Sequence, residues 1–385
     1  MRSRSRRGTG FERRSGGRLW LRLAAAQHLS WGRATPAQQF SGMSDTDIFL
    51  MKRALELARR GAGLVSPNPM VGAVLVNDGR VVGEGYHRYD LLKHAESYAI
   101  DAAGKLARGA TLYCNLEPCC HHGRTPPCTD ALIEAGIARA VIAAKDADPR
   151  VNGRGIEQLR EAGVEVEVGL LEDRAQRLNE SYFKFITTGR PFVHGIIEYP
   201  ADSASSLFDW QPSPEFLSVA SKYDSVMMGR RPELNRVVVD QALSRERHRP
   251  LVVAASNSWL FLNKQIEGEI SVVPIGTQHA ADATGNLVKL EYDLSEPLLS
   301  PLLVKLTTME VTSLLSLPGL LDSSDTANFG EFDKVTLAVP SSTYQQGIAT
   351  RWAFGDIEFN LDDVSIEQAG DYTELTGYPS LQEVA

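Results

Sequence analysis

Residues 110–144, ATLYCNLEPCCHHGRTPPCTDALIEAGIARAVIAA, decide how this chain folds. Ala110–Asn115 reads as a strand, Cys128–Ala135 as a helix and Ala138–Ala144 as a second strand. Working upstream, Ile48, Met51, Leu55 and Ala58 share one face of a helix over 46–60, with Lys52, Arg53, Glu56 and Arg59 outside, and Gly61 and Gly63 stop it. Val71–Val76 and Arg80–Glu84 flank Asn77-Asp78-Gly79, the pattern of a β-hairpin. A helix is predicted from His94 to about Ala107. Downstream follow a helix over Ile156–Ala162, a strand over Val164–Val168 and one long helix over Leu171–Phe185. Strands alternating with helices imply an α/β layer with both sheet faces covered. This first domain is assigned to 43–187, and Thr187–Pro191 reads as a linker. Beyond it strands are predicted at Phe192–Ile197, Ser225–Met228, Arg236–Val239, Leu251–Ala254, Ile270–Ile275 and Lys334–Val339, giving a second α/β domain over 190–385. No internal repeat is evident.

At 385 residues the chain exceeds one typical domain, and an apolar content of 43% is enough for two cores. A charged content of 23% excludes low-complexity disorder for most of the length. No stretch approaches the ~20 uninterrupted apolar residues of a membrane helix, so the expectation is a soluble, cytoplasmic protein without a membrane partner. The net charge of -8 is uneven: residues 1–42 hold nine arginines and one acid, Glu12, which leaves 31 basic and 47 acidic residues for the rest. So acidic a body argues against nucleic acid as a partner. The basic arm, assigned as a disordered extension outside the fold, has three readings: an organelle transit peptide, a nucleic-acid arm, or sequence upstream of a true start at Met43.

The four cysteines are too few for a disulfide scaffold, and Cys119, Cys120 and Cys128 lie within ten residues. His94 with Cys119 and Cys128 offers one imidazole and two thiolates, three ligands that leave a fourth tetrahedral position open, as a catalytic zinc requires. In such a site zinc lowers the pKa of a water toward neutrality. Both ligand groups precede predicted helices, whose N-termini favour thiolates, so Cys119 and Cys128 are both expected to deprotonate easily. Glu96, two residues past His94, is placed to shuttle protons. The ligand set matches the zinc-deaminase signature H-x-E followed by P-C-x-x-C, but here eight residues, Cys120–Pro127, separate the two cysteines. A structural site with His121 or His122 as fourth ligand is the competing reading. Cys114 reads as a buried strand residue and Cys120 as a non-ligand.

Ser66-Pro67-Asn68-Pro69-Met70-Val71-Gly72, Gly85-Tyr86-His87, His94-Ala95-Glu96 and the run from Leu116-Glu117-Pro118-Cys119 to Thr125-Pro126-Pro127-Cys128 resemble the riboflavin-biosynthesis pyrimidine deaminase, usually the N-terminal half of a bifunctional deaminase/reductase. The resemblance covers about Asp45 to Phe185. It implies a cytidine-deaminase-like α/β/α domain followed by a dihydrofolate-reductase-like α/β domain. The implied reaction is hydrolytic removal of the 2-amino group of 2,5-diamino-6-(5-phosphoribosylamino)pyrimidin-4(3H)-one. Matching positions make His94, Cys119 and Cys128 the zinc ligands and Glu96 the proton shuttle. Asn68 and His87 would meet the pyrimidine and ribose, and His121 and Arg124 the phosphate. Asp146 matches a further substrate contact. Where the family continues Asp-Pro-Asn-Pro, this chain has Asp146-Ala147-Asp148-Pro149, and a carboxylate at Asp148 would repel phosphate if it faced the ligand.

The second half departs from that family. Gly189-Arg190-Pro191-Phe192-Val193 resembles the entry to its NADPH-dependent reductase domain, but Ile196 stands where the family has a lysine, and Tyr199-Pro200-Ala201-Asp202-Ser203 replaces a glycine turn. Arg230-Arg231-Pro232 replaces the Gly-Thr phosphate contact, and Leu317-Pro318-Gly319 replaces Glu-Gly-Gly. Pyrophosphate needs glycine N–H donors, and proline removes one. The expectation is therefore a zinc deaminase with a degenerate reductase-like domain that no longer binds NADPH and serves dimerisation or stability. Arg230 and Arg231 read either as phosphate ligands or as a solvated charge pair. The alternatives are a true bifunctional enzyme, a deaminase for another nucleobase compound, and a non-catalytic zinc-binding interaction module.

Overall fold

Ser44 starts the first helix with a capping box: its hydroxyl accepts from the Asp47 N–H at 3.1 Å, and the Asp47 carboxylate accepts from the Ser44 N–H at 2.9 Å. The computed structural model describes residues 44–381 except 90, 92, 124, 200–209, 228–231, 245–250, 257–269, 275–286, 293–298, 318–328, 343, 345–350 and 355–356. The expectations for the basic arm and Met43 lie outside these residues.

The first unit is a five-stranded sheet in the order β2-β1-β3-β4-β5. Its strands are β1 (Gly72–Asn77), β2 (Arg80–Tyr86), β3 (Thr111–Leu116), β4 (Arg139–Ala144) and β5 (Glu165–Val168). The β1–β2 and β1–β3 pairs are antiparallel; β3–β4 and β4–β5 are parallel. Successive residues of a strand point to opposite faces, and each face has its own apolar core. Val74, Tyr113, Val141 and Ala143 face α1 (Asp45–Arg59), while Ala73, Leu112, Cys114 and Ile142 face α2 (Ala95–Ala103), α3 (Cys128–Ala135) and α4 (Arg154–Glu161). The helix predicted from His94 to Ala107 is α2 followed by a 3-10 turn, Gly104–Ala107.

The predicted helix over Leu171–Phe185 is two helices, α5 (Glu172–Leu178) and α6 (Glu180–Thr188). The break falls at Asn179 because its side chain serves another segment. Its Oδ1 accepts from the Met70 N–H at 2.8 Å, and its Nδ2 donates to the Met70 carbonyl at 2.9 Å. Gly189, left-handed at φ 68°, closes α6, and the chain enters β6 (Phe192–Glu198) three residues later.

The second unit holds a 10-stranded sheet in the order β13-β14-β15-β12-β6-β11-β7-β8-β10-β9. These are β7 (Ser225–Met227), β8 (Leu251–Ser256), β9 (Ile270–Pro274), β10 (Leu287–Tyr292), β11 (Ser313–Ser316), β12 (Lys334–Pro340), β13 (Arg351–Phe354), β14 (Ile357–Ala369) and β15 (Tyr372–Leu381). From β12 to β9 the pairs are parallel; β12–β15, β15–β14 and β14–β13 are antiparallel. α7 (Pro214–Ala220) and α8 (Pro232–Leu243) pack into one apolar core and α9 (Leu299–Thr308) into the other. The strand predicted at Arg236–Val239 is helical, part of α8. Leu234, Val238, Val239 and Ala242 are buried there, a helical spacing that overrides the strand preference of three consecutive valines.

Candidate metal centre

His94 is the N-cap of α2, held extended at φ -83° and ψ 161°. The helix lies so close on β2 that a Cβ on Gly85 would stand 2.2 Å from the Ala95 carbonyl oxygen, so that crossing requires glycine. Cys119 lies in the loop after β3, and Cys128 is the first residue of α3. The first N–H of α3 donates to the Cys119 sulfur at 3.4 Å, and the Cys119 carbonyl accepts from the Thr129 N–H at 3.2 Å. The inserted residues 120–127 therefore return the chain to the point where it left.

His94 Nδ1 lies 3.1 Å from Cys128 Sγ and 3.4 Å from Cys119 Sγ, and the three ligand atoms fall within 4.8 Å of one another. Neither His121 nor His122 joins them. Cys114 is buried in β3, and Cys120 points toward the Arg150 carbonyl; neither belongs to the cluster. The Thr125 hydroxyl stands 3.3 Å from His94 Nε2, and Nδ1 is the ring nitrogen that faces the two sulfurs. One imidazole and two thiols form a borderline-soft donor set that suits zinc.

The expectation that both thiols deprotonate easily needs correction. The Cys119 thiol is lowered to about 4 by the hydrogen bond from Cys128, against the opposing effect of burial, with further help from His94. Cys128, which donates that bond and is buried, is pushed well up. Glu96 is 3% exposed, and its carboxyl is raised by burial and then by the negative charge of Cys119.

A cavity of about 510 Å³ joins His94, Glu96 and Cys119 to Asn68, His87, His121, Asp146 and Tyr182. His87 Nδ1 donates to the Lys93 carbonyl at 3.1 Å, so Nε2 accepts from Asn68 Nδ2 at 3.2 Å. His121 Nδ1 is buried with no hydrogen-bond partner among the described residues. Asp146 accepts from the Tyr182 hydroxyl at 2.7 Å and from the Asp148 N–H at 2.9 Å, and burial raises it to about 6. Asp148 is bound by the Arg150 guanidinium at 2.6 Å, which offsets the charge expected to repel phosphate. Arg124, Arg230 and Arg231 lie outside the described residues.

Sequence reasoning left three contributors without a role. Glu117 clamps the loop that carries Asp146: its carboxylate accepts from the N–H groups of Asp146, Gly153, Gly155 and Ile156 at 2.9–3.2 Å. Thr125 was visible only as part of the motif. Glu310, from the second unit, lines the same cavity, and nothing in the sequence points to it.

Residues 44–144 match the family described as the cytidine and deoxycytidylate deaminase zinc-binding region. The chain is 52% identical over 149 residues to the riboflavin biosynthesis protein RibD of Aquifex aeolicus, covering 39% of this chain and 42% of the relative. It is 47% identical over 173 residues to RibD of Escherichia coli, covering 44% and 47%. It is 51% identical over 147 residues to the maize protein named riboflavin biosynthesis protein PYRD, chloroplastic, covering 38% of each. These alignments span less than half of each relative. Among solved structures, RibD of Acinetobacter baumannii superposes with a TM-score of 0.64 at 28% identity, over 87% of this chain and 99% of the other. A diaminohydroxyphosphoribosylaminopyrimidine deaminase/5-amino-6-(5-phosphoribosylamino)uracil reductase of Thermotoga maritima does so with a TM-score of 0.66 at 28% identity, over the same shares. Among the described residues no helix is long and apolar enough to cross a membrane.

Proposed function

We propose that this chain, whose first unit is similar to RibD proteins of riboflavin biosynthesis, is a zinc-dependent aminohydrolase of that pathway. Its substrate is 2,5-diamino-6-(5-phosphoribosylamino)pyrimidin-4(3H)-one, and its products are ammonia and 5-amino-6-(5-phosphoribosylamino)uracil. The observation that carries this reading is the cluster of His94, Cys119 and Cys128, two members of which, His94 and Cys119, line one cavity with the buried acid Glu96.

His94 Nδ1 and the two sulfurs would hold the zinc, which when bound supplies the Lewis acidity that brings a water's pKa toward neutrality. Glu96 carries protons. Its carboxyl, raised by burial, is a better proton acceptor than an exposed acid: it can take a proton from the attacking water and give it to a ring nitrogen of the pyrimidine, then carry the water's second proton to the departing amine. Asn68 commits its amide nitrogen to His87, which turns its carbonyl oxygen to the donor edge of the base. His121, which lines the cavity, would take the phosphate end, and Asp146 would accept from the ribose; by its match to the family motif Arg124 would join His121.

The second unit, in this reading, has lost NADPH binding and hydride transfer. Ile196, at the family's lysine position, is buried in the apolar core, and the Tyr199 ring packs on Trp352 at 5.1 Å. A relative named chloroplastic favours the transit-peptide reading of the basic arm over the other two. A homo-oligomer through the second unit remains part of the proposal.

The test is ammonia release from the phosphoribosylaminopyrimidine by the purified chain, with cytidine and guanine as controls. Glu96→Gln is expected to lower release by about 10²–10⁴-fold while zinc content stays at the parental level. Undiminished release by that variant, or none by the parent, rejects the reading.

A further inference from the structure

The loop that carries Asn68 is held from outside its own unit. Ser66, two residues before Asn68, donates to Asp224 Oδ2 at 2.7 Å. Asp224 closes the turn between α7 and β7. The same carboxylate oxygen accepts from the Thr312 hydroxyl at 2.7 Å and from the Thr312 N–H at 3.0 Å, just before β11. Both hydroxyl protons are thus committed to Asp224, and the 3.1 Å approach of Ser66 Oγ to Thr312 Oγ1 completes a closed three-residue cluster. Earlier in the loop, Gly63 stands so near the backbone of Lys222 that a Cβ there would lie 3.4 Å from the Lys222 Cα. Two residues before Thr312, Glu310 turns in a left-handed conformation, φ 54°, and lines the cavity beside the metal ligands.

We infer that the second unit is a positioning part of the deamination site: Asp224 and Thr312 fix Ser66, and through it Asn68, while Glu310 completes the cavity wall. The inference rests on the proposed deaminase reading for its kinetic consequence, but its structural consequence stands alone. It gives a reductase-like fold a reason to persist after its own chemistry has gone. A charge-assisted hydrogen bond from a loop to a carboxylate already fixed by a backbone N–H restricts that loop more than a bond to a mobile side chain does. Asn68 is a positioning target and Ser66 a positioning residue; neither Asp224 nor Thr312 reaches the substrate.

Ser66→Ala removes the link and leaves the Asp224–Thr312 bonds within the second unit intact. The expected result is a KM raised about fivefold to tenfold, less than the full worth of one charge-assisted hydrogen bond because Ser66 acts on the substrate only through Asn68, with kcat and zinc content little changed. Backbone amides of residues 65–71 should exchange faster with deuterated water, while those of β3 and β4 keep the parental rates. Ser66→Thr, which retains the hydroxyl, should restore both readouts. Parental KM and parental exchange in Ser66→Ala would overturn the inference. A parent that releases no ammonia would instead reject the deaminase reading, and the exchange experiment alone would then decide whether the second unit holds the loop.

Discussion

Two hydrogen bonds and a buried setting act against each other at Asp146. The Tyr182 hydroxyl and the Asp148 N–H both favour the anion, yet burial prevails and the carboxyl is raised to about 6, with the neighbouring charges of Asp148 and Glu117 adding to the rise. An acid so raised is ionised above that value and neutral below it. If the anion accepts from a ribose hydroxyl, that contact is intact at pH 7 and weakens as pH falls through about 6. KM is expected to rise about tenfold from pH 7 to pH 5, following the ionised fraction. Asp146→Asn should flatten this limb of the KM profile; an unchanged limb would move its origin to another group. The His94, Cys119 and Cys128 cluster was legible from the sequence because each residue lies in a short motif with donor chemistry of its own. The tasks of Thr125 and Glu117 were not, because they depend on how residues 120–127 and 146–156 return to the sheet. Glu310 was further from view, being about two hundred positions along the chain from the ligands it joins.

Elements, more than single residues, set the distance between Glu96 and the cysteines. α2 carries His94 and Glu96 and lies across β2 with no room for side chains: added Cβ atoms on Gly83 and Gly85 would stand 2.1 and 2.2 Å from the carbonyl oxygens of Ala99 and Ala95. Gly85→Ala must push the first turn of α2 off the sheet while α3 and Cys128 stay in place. Overpacking of this kind costs about 1–3 kcal/mol, read as a lower denaturant midpoint. Zinc retention during dialysis against a chelator should fall as well, since one of three ligands has moved; full retention would show that the loops absorb the shift. Gly85 was quoted in the sequence motif, but its reason is this crossing. The elements of the first unit were readable because apolar periodicity and Gly-Pro punctuation agree there. Periodicity failed at Asn179, where an apolar pattern continues across a break made by hydrogen bonds to Met70. It failed again in α8, where the run Val237-Val238-Val239 mimics a strand.

Ion pairs join the two units. Lys184 pairs with Asp333 at 2.5 Å, Lys334 with Glu180 at 3.0 Å, and Arg177 with Asp363. Most of the second unit's antiparallel edge went unseen in the sequence because Asp362–Gln368 of β14 is solvent-exposed on both faces and lacks the alternation that marks a half-buried strand. Its parallel centre was seen in part, through apolar runs such as Leu251–Ala254. The proposed loss of NADPH chemistry rests on packing at that centre. Ile196 is 4% exposed among Phe192, Trp210 and Leu315, where an ammonium could not be solvated. Tyr199 meets Trp352 edge to face at 88°, a contact that a glycine turn could not make. A dinucleotide needs backbone donors brought close by small residues, and aromatic packing at this strand end opposes that approach. NADPH mixed with the purified chain and the deaminated uracil product is therefore expected to show no loss of absorbance above the rate without protein. Steady oxidation that depends on the product would mean that the core substitutions spare the cofactor site, and the second unit would then be an enzyme as well as a support.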